Sequence, residues 1–365
     1  MIKPVSGACN MRCTYCFYAD EMKNRAEAVH ARMTDETLEK LVRRVFSYAE
    51  GRVMLAFQGG EPTLAGAEFY KKLLKLERKY NSRHIPVQHA LQTNGLVLDD
   101  EMIDVLKEGN FLVGVSMDGT AALHDARRID AAGQGTYQRI RENTEKLKQA
   151  GIEFNILCVV DEAVASQPEA VMEALEPYIY LQFIACLDPL TEDKREGALT
   201  AEAYGEFLSR TYTRYAALLR AGKPISIRTF DNWLGMLAGF PPESCGFSGR
   251  CSVNYLVESN GSVYPCDFYA LDEWLLGDIN RVSFYALEKS EVQQRFIARS
   301  LPVPEGCKTC PYYALCRCGC CRDRDVQGQL GENRLCAGYR LFFERHLTDM
   351  KQLAAMMFAS RRPTP

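Results

Sequence analysis

Fifteen cysteines, set in tight groups, constrain this 365-residue chain more than any other feature. Three stand together at Cys9, Cys13 and Cys16, two are isolated at Cys158 and Cys186, and ten fall between Cys245 and Cys336. More than half of the chain separates the first group from the last. A secreted disulfide scaffold is short and spreads its cysteines through one small fold. The opening MIKPVSGACN has no apolar stretch of the kind an export signal needs, so a cytoplasmic location is expected. In a reducing compartment such groups read as metal or iron–sulfur ligands. Lys plus Arg number 44 against 47 Asp plus Glu, which gives no electrostatic reason to bind nucleic acid or an anionic membrane. No run of 18 apolar residues is present, so no membrane-spanning helix is expected.

The first half alternates between short apolar runs and helical patterns. VMLAF at 53–57, then 87–93, 112–117, 154–160 and 180–184 read as strands, and a first strand is expected at 2–5. Helical spacing is found at 68–80, 99–109, 137–150 and 201–222. Strands alternating with helices imply βαβ units and a parallel sheet, and about six repeats suggest a partial (β/α)6 barrel of the TIM type. Sites in such sheets form at the C-terminal strand ends. DPLTEDKREGAL at 188–199 reads as a polar surface loop. From about residue 240 Cys, Gly and Pro rise. A hairpin is expected from 255–258 and 262–264, turned by Ser-Asn-Gly, and a terminal helix at 342–360. The expected domains are 1–235, 236–340 and 341–365.

Cys9, Cys13 and Cys16 have the spacing C-x3-C-x2-C with no fourth cysteine nearby. Three thiolates hold three irons of a four-iron cluster and leave one iron open, whereas a structural zinc site closes at four ligands. Eight later cysteines make two sets of four, but spacing alone permits many partitions. A double zinc ribbon fits Cys307-x2-Cys310 and leaves the other spacings irregular. Cys158 and Cys186 read as small core residues. The five histidines show no metal spacing, and no phosphate-binding glycine motif is present.

C-x3-C-x2-C followed by an aromatic resembles the radical S-adenosylmethionine enzymes, in which the open iron chelates that cofactor and an electron cleaves it to a 5′-deoxyadenosyl radical. The resemblance places Gly59, Gly60 and Glu61 at the cofactor's amino group, and Ser116 and Arg128 at its ribose and carboxylate. The eight later cysteines resemble the SPASM extension. That likeness assigns Cys245, Cys251, Cys266 and Cys320 to one auxiliary [4Fe–4S] cluster and Cys307, Cys310, Cys316 and Cys336 to another, for three clusters in all. Cys318 and Cys321, in CRCGCCRDRD, depart from the pattern: they are either unligated thiols or substitutes for Cys320.

AFQGGEPTLAG, LQTNG, FLVGVSMDG, EFNILCVV, QFIACLDPL and GSVYPCDFY together resemble the anaerobic sulfatase-maturating enzymes. The resemblance implies oxidation of a Cys or Ser in a Cys/Ser-x-Pro-x-Arg segment of an unfolded sulfatase to Cα-formylglycine, fed by a flavodoxin- or ferredoxin-like electron donor. It puts Tyr15 and Leu187 against the adenine, Tyr18 and Gln58 in the substrate pocket, and Asp267 as the base for the substrate proton. Without the resemblance, Gly59–Glu61 read equally as a βα turn, Ser116 as a cap, Arg128 as a surface charge and Asp267 as a hairpin-end cap. Two other functions stay open: a different radical modification of a peptide, such as a thioether crosslink or an epimerisation, and a zinc-stabilised binding module without catalysis.

Overall fold

The computed structural model describes residues 1–190, 197–326 and 328–359. The middle of the polar segment 188–199 and residue 360 lie outside the described residues. The chain divides into two compact units, each assembled from separate stretches. The first comprises Met1–Met117, His124–Asn155 and Val253–Phe296; the second comprises Asp118–Leu123, Ile156–Ser252 and Ile297–Pro365.

In the first unit three parallel strands, β1 (Val53–Phe57), β2 (Val87–Thr93) and β3 (Phe111–Ser116), pair in chain order. Their register sets Phe57 opposite Leu91, and Thr93 opposite Val115. A fourth strand, β4 (Phe154–Val160), starts in this unit, where the Val113 N–H donates to the Glu153 carbonyl. One face of the sheet is covered: Val53, Leu55, Phe57, Leu91, Phe111, Val113 and Val115 are buried. The alternate residues Met54, Gln88 and Leu112 are exposed, and Ala56, Ala90, Gln92 and Ser116 are half-buried. With a period of two, every second side chain of each strand therefore points to an open face.

The covered face packs on Ala67–Tyr80, whose Tyr70 meets Phe57 at 5.2 Å and Phe111 at 5.9 Å between ring centroids. Phe57→Ala would cost about 3–5 kcal/mol at such a site. Asp99 caps Asp100–Glu108 by accepting from the Met102 N–H at 2.8 Å, and Gly109 ends it. A helix not expected from the strand–helix alternation, Asp35–Tyr48, is capped by Thr34, which accepts from the Thr37 N–H. His89 on β2 lies between two acceptors, with Nδ1 2.7 Å from the Gly109 carbonyl and Nε2 2.9 Å from Glu77 Oε1.

Residues 2–5 do not form the expected strand. Ile2 alone bridges, to Phe57 on one side and Val257 on the other. Pro4 has no N–H to extend the ladder, and Ser6 turns the chain with φ 54°. The C-terminal hairpin β7 (Leu256–Val257) and β8 (Ser262–Tyr264) forms as expected, though shorter, and a third strand, β9 (Gly277–Asp278), extends it.

In the second unit β4 continues and pairs in parallel with β5 (Tyr180–Ala185), which pairs with the two-residue strand β6 (Ser226–Ile227). β4, β5 and β6 thus also follow one another in chain order. The helix Ala201–Arg220 crosses the terminal helix Cys336–Met357, which begins at Cys336 and not at Phe342. Gly338, a poor helix former, is tolerated near its start because the two helices meet there: a Cβ on Gly338 would overlap the Ala201 carbonyl. Trp233, Phe230, Phe342 and Tyr212 fill this unit's aromatic core, and Cys158 and Cys186 are buried.

Candidate active site

The loop carrying Cys9, Cys13 and Cys16 is held by main-chain bonds to neighbouring segments. The Ala8 carbonyl accepts from the Glu61 N–H at 2.8 Å, just beyond β1. After β2, Asn94 Nδ2 donates to Asn10 Oδ1 at 2.8 Å and lies 3.7 Å from Cys9 Sγ. The Arg12 and Thr14 N–H groups donate to the Ile129 and Arg127 carbonyls. Cys16 ends the loop as N-cap of the helix Phe17–Lys23. Burial pushes the Cys9 thiol up to about 11. A thiol of that kind ionises at neutral pH only with a metal to hold the thiolate, so ligation releases protons.

Gly59 and Gly60 both adopt positive φ, 85° and 55°. A Cβ on Gly60 would overlap the Ala8 carbonyl, and one on Gly59 would overlap the Lys3 side chain. Glycine is thus required here by the approach of the cysteine loop. Glu61 is fully buried, and its carboxylate is engaged by the chain itself. Oε1 accepts from the Thr63 N–H, the Thr63 hydroxyl and the Thr93 hydroxyl, and Oε2 accepts from the Asn94 N–H. Burial raises its pKa above the ordinary carboxylate value, against the pull of those donors. The Glu61 side chain therefore braces the ends of β1 and β2.

Arg128 is buried, with its guanidinium carbon 5.3 Å from the Tyr15 ring centroid and Nη1 4.0 Å from Cys13 Sγ. This places a fixed cation and an aromatic ring beside the cysteine loop, not on the surface. Ser116 ends β3 on the open face and accepts from Gln92 Nε2 at 3.4 Å. Gln58 follows β1, half-buried, with its N–H bonded to the Ile2 carbonyl. Leu187, half-buried after β5, belongs to the second unit.

Asp267 is brought to Tyr18 across 249 residues of sequence. The Tyr18 hydroxyl donates to Asp267 Oδ2 at 2.8 Å. Asp267 Oδ1 is buried and has no hydrogen-bond donor among the described residues. Lys3 Nζ is 3.7 Å from that oxygen, 3.3 Å from Glu21 Oε2, 3.7 Å from Glu258 Oε1 and 4.6 Å from the Tyr18 ring centroid. Arg25 completes the group, donating to Glu258 at 2.7 Å. Burial opposes the Lys3 charge, but Glu21, Asp267 and Glu258 outweigh it and hold its pKa above the ordinary value. Burial pushes Glu21 up to about 7 despite Lys3. Burial, and then Asp267, push Tyr18 well above its ordinary value, so it remains a donor.

The later cysteines divide between the units. Cys266 precedes Asp267 in the first; the other nine lie in the second. There, Gly246, next to Cys245, lies against Cys320. Cys307, Cys310, Cys316 and Cys336 line one cavity with Tyr339 and Phe343, and Cys318 lines it too. Among the described residues no group of three or more His, Cys, Asp or Glu side chains closes around a single metal ion. Half of the residues lining the cavity are cysteines, set among aromatic neighbours, which suits a four-iron group.

Sequence patterns did not reveal Lys3, Glu21, Arg25, Glu258 or Asn94. A lysine between Ile2 and Pro4 was the available signal, since a charge inside an apolar run calls for buried partners.

Residues 4–175 match the model of the radical SAM superfamily, and residues 245–311 match the iron–sulfur cluster-binding domain termed SPASM. The chain is 41% identical to the cysteine-type anaerobic sulfatase-maturating enzyme of Clostridium perfringens, over 94% of this chain and 95% of that one. This chain belongs to the anaerobic sulfatase-maturating enzymes. It is thereby a radical S-adenosylmethionine enzyme, and a zinc-stabilised module without catalysis is not favoured. The serine-type sulfatase-maturating enzyme of Bacteroides thetaiotaomicron is 30% identical, over 94% of this chain and 88% of that one. The solved structure described as native anSMEcpe with bound AdoMet and Cp18Cys peptide superposes with a TM-score of 0.92 at 40% identity, covering 98% of both chains.

Proposed function

We propose that this maturase oxidises a cysteine in an unfolded sulfatase segment of the form Cys-x-Pro-x-Arg to Cα-formylglycine. The observation that carries the reading is the buried Asp267 carboxylate: Oδ2 is held by Tyr18, and Oδ1 has no hydrogen-bond donor among the described residues and stands ready to accept one. A cysteine target is favoured over serine by the higher identity to the cysteine-type relatives.

The cofactors are S-adenosylmethionine and three [4Fe–4S] clusters. Cys9, Cys13 and Cys16 hold the first; Cys245, Cys251, Cys266 and Cys320 the second; Cys307, Cys310, Cys316 and Cys336 the third. When bound, S-adenosylmethionine and the first cluster supply the one-electron chemistry that removes a Cβ hydrogen, which no side-chain base achieves at neutral pH. Arg128 provides the positive charge for a carboxylate. The Gly59–Gly60 backbone provides close approach, Ser116 a hydroxyl, and Tyr15 and Leu187 apolar surface for the adenine. Glu61 acts by bracing this turn. Gln58 and Tyr18 line the peptide's path. Asp267 accepts the target thiol's proton, and it is next in sequence to Cys266, which would hold the auxiliary cluster that supplies an electron acceptor. The oxidised side chain then exchanges sulfur for water oxygen.

The domains at 1–235, 236–340 and 341–365 are, in this reading, the radical module, the auxiliary-cluster module and a closing helix. The electron donor is a flavodoxin- or ferredoxin-like protein. A cytoplasmic location accords with the chemistry, and no helix of the described residues is long and apolar enough to cross a membrane. The test is anaerobic turnover of paired Cys and Ser peptides read by mass spectrometry. The expected result is a product about 18 Da lighter from the Cys peptide, the difference between a thiol and an aldehyde side chain. Turnover of the Ser peptide alone would overturn the cysteine assignment.

A further inference from the structure

Cys318 departs from the two sets of four, and its position in the fold gives it a use. It lies on the loop after the short helix Tyr313–Cys316, which turns through three successive left-handed residues, Arg317, Cys318 and Gly319, with φ 46°, 70° and 71°. Asn333 pins this loop by donating from Nδ2 to the Cys318 carbonyl at 3.2 Å, and a Cβ on Gly319 would overlap Asn333. The Cys318 side chain is 3% exposed and lines the cavity shared by Cys307, Cys310, Cys316 and Cys336. Cys307 and Cys316 line that same cavity, both ahead of it in sequence. Five cysteines therefore line a space where four irons need four. Cys318 stands with the set of Cys307, not with Cys320, for which the sequence offered it as a substitute.

We propose that Cys318 is an alternative ligand of the third cluster, able to take the iron that Cys307 otherwise holds. This inference rests on the ligand set proposed above for that cluster. Cys307 is half-buried on a four-residue helix, Glu305–Lys308, whereas Cys318 is buried on a pinned loop. The replaceable ligand is thus the one on the more accessible element, and the spare one waits inside. Exchange swaps one iron–thiolate bond for another: Cys318 gives up its proton, Cys307 takes one up, and no electron is transferred.

The experiment uses the full chain, reconstituted anaerobically, and measures iron per protein with electron paramagnetic resonance of the reduced clusters. Wild type is expected to hold about twelve irons, three clusters of four. Cys307→Ser is expected to keep about twelve, and Cys310→Ser and the double variant Cys307→Ser/Cys318→Ser to fall to about eight. A fall to eight in Cys307→Ser alone overturns the proposal. If Cys310→Ser also keeps twelve, the ligand set itself is wrong and the proposal falls with it. A second measurement does not depend on how Cys307→Ser folds. Cys318→Gly suits the left-handed backbone and is expected to hold twelve irons, yet to release four of them to a chelator roughly tenfold faster than wild type, the scale on which groups around a metal site act. Equal release rates would overturn the proposal.

Discussion

Lys3 Nζ lies 3.7 Å from Asp267 Oδ1, close enough for charge attraction and too far for a hydrogen bond. The cation keeps a carboxylate inside the fold without occupying Oδ1, the oxygen proposed to accept the substrate proton. Two cations, Lys3 and Arg25, face three carboxyls, Glu21, Glu258 and Asp267, and the upward shift of Glu21 to about 7 eases the excess of acid.

Lys3→Met removes the cation and leaves buried acid uncompensated. Breaking a buried pair in this way costs about 3–5 kcal/mol, so a large drop in melting temperature is expected together with loss of formylglycine. Thermal unfolding of the variant with an unchanged midpoint would show that Lys3 does not hold the group together.

Tyr18→Phe removes the donor to Asp267 Oδ2 and keeps the ring under Lys3. A hydrogen bond to a charged group is worth about 1.5–3 kcal/mol, so a loss of stability of that size is expected, with formylglycine yield per folded enzyme falling at least tenfold. Yield per turnover, measured beside the melting curve, separates this from a general loss of fold.

Gly60→Ala drives a Cβ into the Ala8 carbonyl, at the base of the cysteine loop. About four of twelve irons are expected to be lost. Gly51→Ala, where nothing lies within 4 Å of the added carbon, is the control and is expected to retain all of them. Iron analysis of the two purified variants decides it.

His89 carries a pH dependence of stability. Burial opposes its charge, but Glu77 and the Gly109 carbonyl outweigh burial and raise its folded pKa above 6.5. Its contribution is therefore complete below about pH 6.5 and is lost as pH rises through the folded value. His89→Gln is expected to melt below wild type by roughly 2–4 °C at pH 6, about the effect of 1 kcal/mol, and by less at pH 9. A gap that widens with pH would contradict the assignment.

Much of this was readable from sequence for identifiable reasons. β2 and β4 fall at their expected bounds because turn and cap residues bound the apolar runs, Pro86 and Asn94-Gly95 around β2 and Gly151 and Asp161 around β4. Cys9, Cys13 and Cys16 stood out as one group by spacing, and they lie on one loop. Residues 2–5 misled because an apolar run beside a proline resembles a strand, and only the fold shows that Ile2 alone has partners. The motif at Glu61 names a residue without showing that Thr63, Thr93 and Asn94 engage its oxygens. The Lys3 group was hidden because its members, between residues 3 and 267, meet only after folding.

The most direct test compares wild type with Asp267→Asn on a Cys-x-Pro-x-Arg peptide, without air, measuring aldehyde product and 5′-deoxyadenosine together. Wild type should give both. Asp267→Asn should still give 5′-deoxyadenosine while aldehyde falls by at least a hundredfold, the lower scale of a positioned proton acceptor. Full aldehyde yield from Asp267→Asn would contradict the account.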